Sequence, residues 1–447
     1  MGDLPARLAR SALPRKPLMQ PILTPRLGAP PASDVDVVVV GAGAAGIAAA
    51  RRLTAARLTV AVLEARDRIG GRAVTVGFKG HPVDLGAHWL HAGPVNPLVK
   101  LGFARGEPLR RASQDSHLVV GRRMARADER AAFARAFEVA DRALTQAARE
   151  ETDRAAASAL PFLGPWRERI ATVHGLVSGR PLEEVSLQDF PSLEYGDNFF
   201  IAGGFGAYVA RLATGLPIRL DAAVRAVDWS GQGVRVASDA GDFHARAALV
   251  TVPMPVLQWD GIRFTPALPE STRAAINSFL SGTYEHVVLH WPKSPFIGPD
   301  RLASIVGGRF KPPGLLTRID GTPLHYFELD HPTTMRLEAG PDAARRFGRA
   351  VLAEHFGHRA LNGLSIPAVT DWRRDPWSLG SWAVVPPGCY AIRDDLRRPA
   401  GERIWFAGEA MSRAQWGTVG GAWQEGERAA EAIIACLGGA SSNAAAQ

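Results

Sequence analysis

The sequence predicts an α/β protein of two domains. One is a parallel, doubly wound sheet assembled from separated stretches of chain; the other is a mixed β-sheet with helices. Three observations carry this reading. The continuous apolar run at residues 37–40 has the composition of a strand buried on both faces, and a glycine turn and an Ala-rich segment lead from it to a second apolar run at 58–63. Near the other end of the chain, residues 403–406 read as a strand, and Gly417-Thr418-Val419-Gly420-Gly421-Ala422 opens a helix running to Leu437, so the first domain is discontinuous. Between the two lie short alternating strand patterns broken by Ala- and Arg-rich helical stretches, as a second, mixed domain requires.

The first turn is Gly41-Ala42-Gly43-Ala44-Ala45-Gly46, a complete G-x-G-x-x-G between strand and helix. Gly41 permits the tight turn, Gly43 lets a pyrophosphate approach the backbone, and Gly46 lets helix and strand pack closely. The helix N-terminus offers unpaired N–H groups and a partial positive charge to the phosphates. Glu64, ending the second strand, is placed to accept hydrogen bonds from a ribose 2′-OH, and no 2′-phosphate motif stands beside it, which disfavours NADP. Asp67-Arg68-Ile69-Gly70-Gly71-Arg72 adds a second glycine turn flanked by two guanidiniums, suited to gripping a diphosphate from its other side. Nicotinamide enzymes seldom need that second clamp. The reading is therefore FAD in a Rossmann-like domain.

Composition narrows the alternatives. The 447 residues suffice for two domains with substantial cores. Of the net charge of +8, much sits in residues 1–33, where Arg7, Arg10, Arg15, Lys16 and Arg26 face Asp3 alone. The excess elsewhere is too dilute for a nucleic-acid stripe. Arginine supplies nearly all the basic residues, which with the Ala-rich helices suits a GC-rich bacterial genome. Cys389 and Cys436 lie too far apart in sequence for a disulfide framework or a zinc site, and no metal is expected. No apolar run reaches the roughly 18 residues needed to span a membrane. The basic, Pro-rich arm lacks the apolar region of a secretory signal. Disorder is its expected state, a mitochondrial-type transit peptide is the alternative, and the cytoplasm is the expected compartment.

In chain order, 1–33 form the arm; 34–100, 200–262 and 398–440 fall to the FAD-binding domain; 101–199 and 263–397 fall to the substrate domain. Within the latter, 122–189 is a helical insertion whose expected role is scaffolding. Val83-Asp84-Leu85-Gly86-Ala87-His88-Trp89-Leu90-His91 sets small residues beside aromatics. Gly86 and Ala87 would let a flat ring approach and His88 and Trp89 would edge it; the alternative is a buried strand with a core Trp. Strand patterns at 218–220, 224–229, 234–238 and 247–252 suggest a meander returning to the first domain, with Val224 flanking an adenine. Residues 283–291, 302–306 and 324–329 read as strands of the mixed sheet. Trp372, Trp377 and Trp382 crowd around Asp375-Pro376 and Gly380, which favours a ligand wall over a core. In Ala407-Gly408-Glu409, Glu409 would bind a ribityl hydroxyl. Amides of the following glycine-rich helix start would serve the pyrophosphate or the flavin's pyrimidine oxygens, unless that strand–turn–helix is purely structural.

With both ends in view, the chain resembles the flavin amine oxidase family, which includes monoamine oxidases, polyamine oxidases and flavin-dependent histone lysine demethylases. The matching stretches are VVVVGAGAAGIAAARRL, LEARDRIGGR, DLGAHWLH with Asn96-Pro97 beyond it, VTVPMPVL, DPWSLGSW, and FAGEA followed by GTVGGA. They run in the family's order over nearly the whole chain and look nearest the polyamine oxidase and demethylase branch. The resemblance implies that Gly41, Gly43, Gly46, Glu64, Arg72, Gly408, Glu409, Thr418 and Val419 hold FAD, with Gly86, Ala87, His88 and Trp89 along the flavin ring. It places Trp382 as an aromatic wall of an amine cage with Thr418 opposite, and Trp377 and His91 toward the substrate. It implies hydride transfer from the amine α-carbon to flavin N5, an imine that hydrolyses to aldehyde or ketone, and O2 reduced to H2O2. FAD is expected to be non-covalent, because Gly380 and Ser381 stand near where some monoamine oxidases carry a flavin-linked cysteine. One departure matters. The family's lysine, bridged by water to N5, aligns with His286, and no lysine lies between Lys100 and Lys293. Histidine can also hold a water. A functional substitute, a dehydrogenase or desaturase with another electron acceptor, and an FAD-stabilised binding protein are the readings this leaves. The particular amine and the oligomeric state stay open.

Overall fold

The computed structural model describes residues 21–193, 196–310, 314–337 and 340–444. Its first domain grows from the βαβ unit marked by the glycine turn. Strand β1 (Asp34–Val40) sends Val37 and Val39 into one core and Val38 and Val40 into another, which is why its apolar run is unbroken. Helix α1 (Ala44–Ala55) follows, and β2 (Val60–Leu63) returns parallel to β1 with Val40 opposite Leu63. The return strand starts two residues later than the apolar pattern begins, because the chain must turn first, with Arg57 in the left-handed region at φ 63°.

On the far side of β1 lies the parallel strand Gly241–Val250. Its first half pairs with the antiparallel meander Val234–Ser238 and Val224–Asp228, and its last three residues pair with Ile404–Phe406. Ile218–Arg219 closes the edge beside β2, and Arg263–Thr265 closes the other edge. The latter lies past the domain boundary drawn at 262; its parallel pairing with Val224–Asp228 places it in the first sheet. The last helix, Val419–Ala444, lies along α1 so closely that a Cβ on Gly426 would overlap the Ala45 carbonyl.

The second domain is a seven-stranded mixed sheet in the order Ser365–Val369, Glu285–His290, Leu324–Leu329, Gly314–Thr317, Arg301–Val306, Ser116–Val120 and Arg123–Met124. One face packs Val287 and Leu289 against Val351 and Leu352 of the helix Pro341–Phe356. The other face carries Val288, Leu316 and Tyr326 toward Val76, Val83 and Phe200. The period of two therefore turns His286 toward the first domain. The insertion contains the helices Ala127–Ala147 and Arg167–Ser178.

Of the arm expected to be disordered, 1–20 lie outside the described residues. Residues 21–33 instead run along the first domain, with Leu23 and Leu27 against its core and the Gly28 N–H donating to the Leu216 carbonyl at 2.8 Å. Apolar side chains spaced among the prolines give that stretch a surface to lie on.

A buried ion pair joins the insertion to the rest. Arg393, 0 % exposed, donates to both Asp189 carboxylate oxygens at 2.8 and 2.7 Å and to the Ala410 carbonyl at 2.7 Å, with its guanidinium over Trp416. Arg393→Met would strip both guanidinium hydrogen bonds from buried Asp189, and should lower the unfolding free energy by about 3–5 kcal/mol. Urea denaturation of the two proteins measures this.

Candidate active site

A continuous cavity of about 630 Å³ runs from the glycine turn after β1 into the space between the domains. At the turn, Gly41 has φ 105°, and a Cβ on Gly46 would overlap the Gly41 carbonyl, so helix and strand touch there as only glycine allows. A Cβ on Gly43, by contrast, would meet nothing within 4 Å, and no side chain caps α1. The amides of the first helical turn therefore face open space, the requirement of a diphosphate site. Glu64 accepts the Ala42 N–H at 2.7 Å on one carboxylate oxygen and the Arg66 N–H at 3.0 Å on the other. Burial pushes its carboxyl up, against the pull of those two amides. Val224, Arg225 and Trp377 line the same end. An uncapped helix, an open glycine cradle and an acid at the ribose position fit a dinucleotide.

The second glycine turn is built differently from its expected clamp. Gly70 and Gly71 take φ 91° and 58°, and half-buried Arg68 donates to the Ile69 and Gly71 carbonyls at 3.2 and 2.9 Å. Arg68 thus holds the turn and does not line the cavity; burial draws its guanidinium down to about 10. Arg72 does line it, while donating to the Ser381 carbonyl at 2.5 Å and to Glu409 Oε1 at 3.2 Å. Glu409 also accepts the N–H groups of Ala383 and Gly417, each at 3.1 Å. Its carboxylate is tied to three chain groups before any ribityl hydroxyl meets it. Gly408 and Val419 stand beside it in the lining. The Thr418 hydroxyl donates to the Gln415 carbonyl at 2.7 Å and accepts the Gly421 N–H at 2.9 Å, so it caps the last helix.

Strand His81–Asp84 stops where Asp84 accepts the Phe205 and Gly206 N–H groups at 3.0 and 3.2 Å. Residues 85–91 then cross the cavity as irregular chain, not as the core strand offered as the alternative. A Cβ on Gly86 would overlap the Arg72 carbonyl and crowd the Trp372 ring. Ala87, His88, Trp89 and His91 follow in the lining. His88 Nδ1 lies 3.1 Å from the Gly86 carbonyl and His91 Nδ1 lies 3.1 Å from Asn198 Oδ1. Burial draws the two imidazoles down to about 3 and about 4, so both are neutral.

Trp382, fixed by its indole N–H on the Ser178 carbonyl at 2.9 Å, meets the Tyr284 ring at 5.5 Å and 39°. The Tyr284 hydroxyl donates to Glu328 Oε1 at 2.7 Å, and burial pushes the Glu328 carboxyl up to about 7. His286 pairs with Glu328 across the sheet. Its ring stacks on Tyr326 and stands 4.9 Å from the His88 ring, and neither ring nitrogen has a hydrogen-bond partner among the described residues. Burial first, and His88 second, hold it well below the usual imidazole range.

Most of the residues singled out in the sequence thus face one cavity; Gly46 and His286 stand behind its lining. Trp377, expected toward the substrate, lines the cavity with the Arg225 guanidinium 5.6 Å over its ring, and Asp375 just before it pairs with Arg66 at 2.6 Å. The insertion, read as scaffolding, supplies a wall: Arg169, Val173, Leu176 and Val177 all line the cavity. Nothing in the residue types marks that helix among so many arginines. Glu328 was missed too, although an acid inside the apolar strand Leu324–Leu329 is a visible signal.

Fold and groove together define a dinucleotide-binding protein whose second domain closes over a ring-lined chamber. The chain belongs to the flavin-containing amine oxidoreductases, whose family model matches residues 44–434. It is an oxidoreductase acting on amine donors, and its cofactor is non-covalent FAD. It is 30% identical over 435 residues to polyamine oxidase 2 of Arabidopsis thaliana, covering 89% of this chain and 87% of that one. It is 28% identical to the human lysine-specific histone demethylase 2, covering 90% of this chain and 53% of that protein. In three dimensions it is similar to putrescine oxidase solved with putrescine bound, at TM-score 0.74 and 21% identity over 90% of this chain and 99% of the other. Among the described residues no helix is long and apolar enough to cross a membrane.

Two outcomes follow. Gly46→Ala should weaken FAD binding at least about tenfold by forcing α1 off the turn, read as flavin absorbance retained through purification. Glu285, like Glu328, is pushed up to about 7 by burial, above the 4.5 of an unperturbed carboxyl. The fold therefore holds these protons more tightly than the unfolded chain, and their contribution is fullest below about 4.5 and lost as pH rises toward 7. Glu285→Gln should flatten that loss in denaturation midpoints measured across the window.

Proposed function

We propose that the protein is an FAD-dependent amine oxidase. The observation that carries this is the Trp382–Tyr284 pair opening on the same cavity as the neutral His88 loop. When bound, FAD supplies the acceptor for the hydride lost from the amine α-carbon and passes the electrons to O2 as H2O2, while the imine formed hydrolyses to an aldehyde or ketone. The chain's own part is to position the amine and select its protonation state. Aromatic faces attract the cationic centre on entry, and the dry, ring-lined walls favour its neutral form, whose lone pair assists loss of hydride. Gly86 and Ala87 keep one side low enough for a flat ring. Arg72 and Glu409 lock the loops at 381–383 and 417 into the same frame.

His286 stands where the family usually carries lysine. With three unpartnered ring nitrogens shared between it and His88, the reading supported is an ordered water held between two neutral imidazoles. The same position behind the lining favours a second reading, a dehydrogenase that passes electrons to an acceptor other than oxygen.

Anaerobic addition of mono-, di- and polyamines and amino acids to the purified flavoprotein, followed by air, separates these. Bleaching with rapid return of colour is the expected result. Slow return would favour the dehydrogenase, and no bleaching by any amine would sink both. His286→Lys should speed reoxidation in air by about tenfold while changing anaerobic bleaching less than about threefold.

A further inference from the structure

The end of the cavity beside Glu64 is bounded by a stretch of chain that no motif marks. The Ala222 N–H donates to the Glu64 carbonyl at 2.8 Å, which sets Val224 and Arg225 beside that acid. In the neighbouring strand of the first sheet, Arg263 stands opposite Ala226 in parallel register, so Gly261 and Ile262 lead in alongside Val224 and Arg225. All four line the cavity, and so does Trp259 just before them.

The backbone of Trp259 is fixed. It follows the short helix Met254–Gln258, and its N–H donates to the Pro255 carbonyl at 3.2 Å. Asp260 then turns the chain in the left-handed region at φ 51°. The Gly261 N–H closes the turn on the Val256 carbonyl at 3.0 Å, so tightly that a Cβ on Gly261 would overlap that oxygen. The side chain that this turn presents is not buried. Of the eleven tryptophans, all among the described residues, Trp259 alone is exposed, at 62 %. Among the described residues its indole N–H meets no hydrogen-bond acceptor and no second ring packs on it. An indole held on a fixed turn and left uncovered in a cavity wall offers a flat apolar face to a ligand.

We infer that Trp259 is a stacking platform for the adenine of FAD, and that it governs how long the cofactor stays bound. Position identifies the occupant. Glu64 places the ribose, and the adenine is the flat, uncharged ring that this part of FAD carries. Stacking of a base on an aromatic side chain needs no hydrogen-bond code and changes affinity by about tenfold. The inference rests on FAD being the cofactor and is independent of which reaction the loaded protein runs.

The test uses the FAD-loaded protein and reads release, not turnover. The first-order loss of flavin into dilute buffer, followed by the rise of free flavin fluorescence, should be about tenfold faster in Trp259→Ala and within about threefold of wild type in Trp259→Phe. Trp259→Leu keeps apolar bulk without a ring face and should release FAD about as fast as the alanine variant. Leucine holding FAD as well as phenylalanine would overturn stacking, and a folded Trp259→Ala that releases FAD within about twofold of wild type would refute the inference outright. A second readout needs no variant. Limiting N-bromosuccinimide on the loaded wild-type protein, with oxidised tryptophans mapped by peptide mass spectrometry, should spare Trp259 although no part of the chain covers it. Trp259 reacting ahead of the other tryptophans would refute the inference whatever the variants do.

Discussion

Glu409 gathers stretches of chain that the sequence keeps far apart. Its carboxylate accepts Arg72 from the loop after β2, the Ala383 N–H from the substrate domain and the Gly417 N–H from the turn before the last helix. These three meet on the wall of the cavity, beside the glycine cradle, the ring-lined wall and the helix start. A buried acid of this kind is tolerable because its lone pairs are met by charge-assisted and backbone donors, and for the same reason it leaves the loops around it little freedom.

Beyond that anchor the chamber is short of charge. His88, His91 and His286 are all held neutral by burial, and Glu328 is pushed toward neutrality by the same cause. The polar groups on that side include ring nitrogens, the Tyr284 phenol, Glu328 and Arg169. Such a space favours neutral groups over solvated ions, because burial penalises charge.

Much of this was legible before any fold was known, because it is local. A strand, a glycine turn, a helix and a terminal acid must be neighbours in sequence to make a diphosphate cradle, so 35–64 announced itself. Close backbone approach needs Gly or Ala, so Gly86 and Ala87 were visible as a place for a flat ring. The split of the first sheet was readable from the second strand–glycine–helix pattern near the end. The parts that local sequence leaves undecided are those whose meaning comes from partners far along the chain. Trp377 and Trp382 look alike five residues apart, yet Arg225 draws one to the nucleotide end and Ser178 and Tyr284 fix the other in the chamber. Arg68 and Arg72 both flank one glycine turn, but only Arg72 reaches the cavity.

The sequence by itself therefore determined the class of fold and the cofactor, since each is written in short motifs whose physics is complete within a few residues, while the kind of chemistry came from the resemblance of those motifs to a family. Tertiary structure alone decided the far wall of the cavity. Arg169 is one arginine among many until its helix is laid against the sheet that carries Glu328. His286 is one position in an apolar strand until Tyr326 and His88 are packed around it. Charge and protonation in a site depend on what surrounds a group in space, and those surroundings come from stretches hundreds of residues apart.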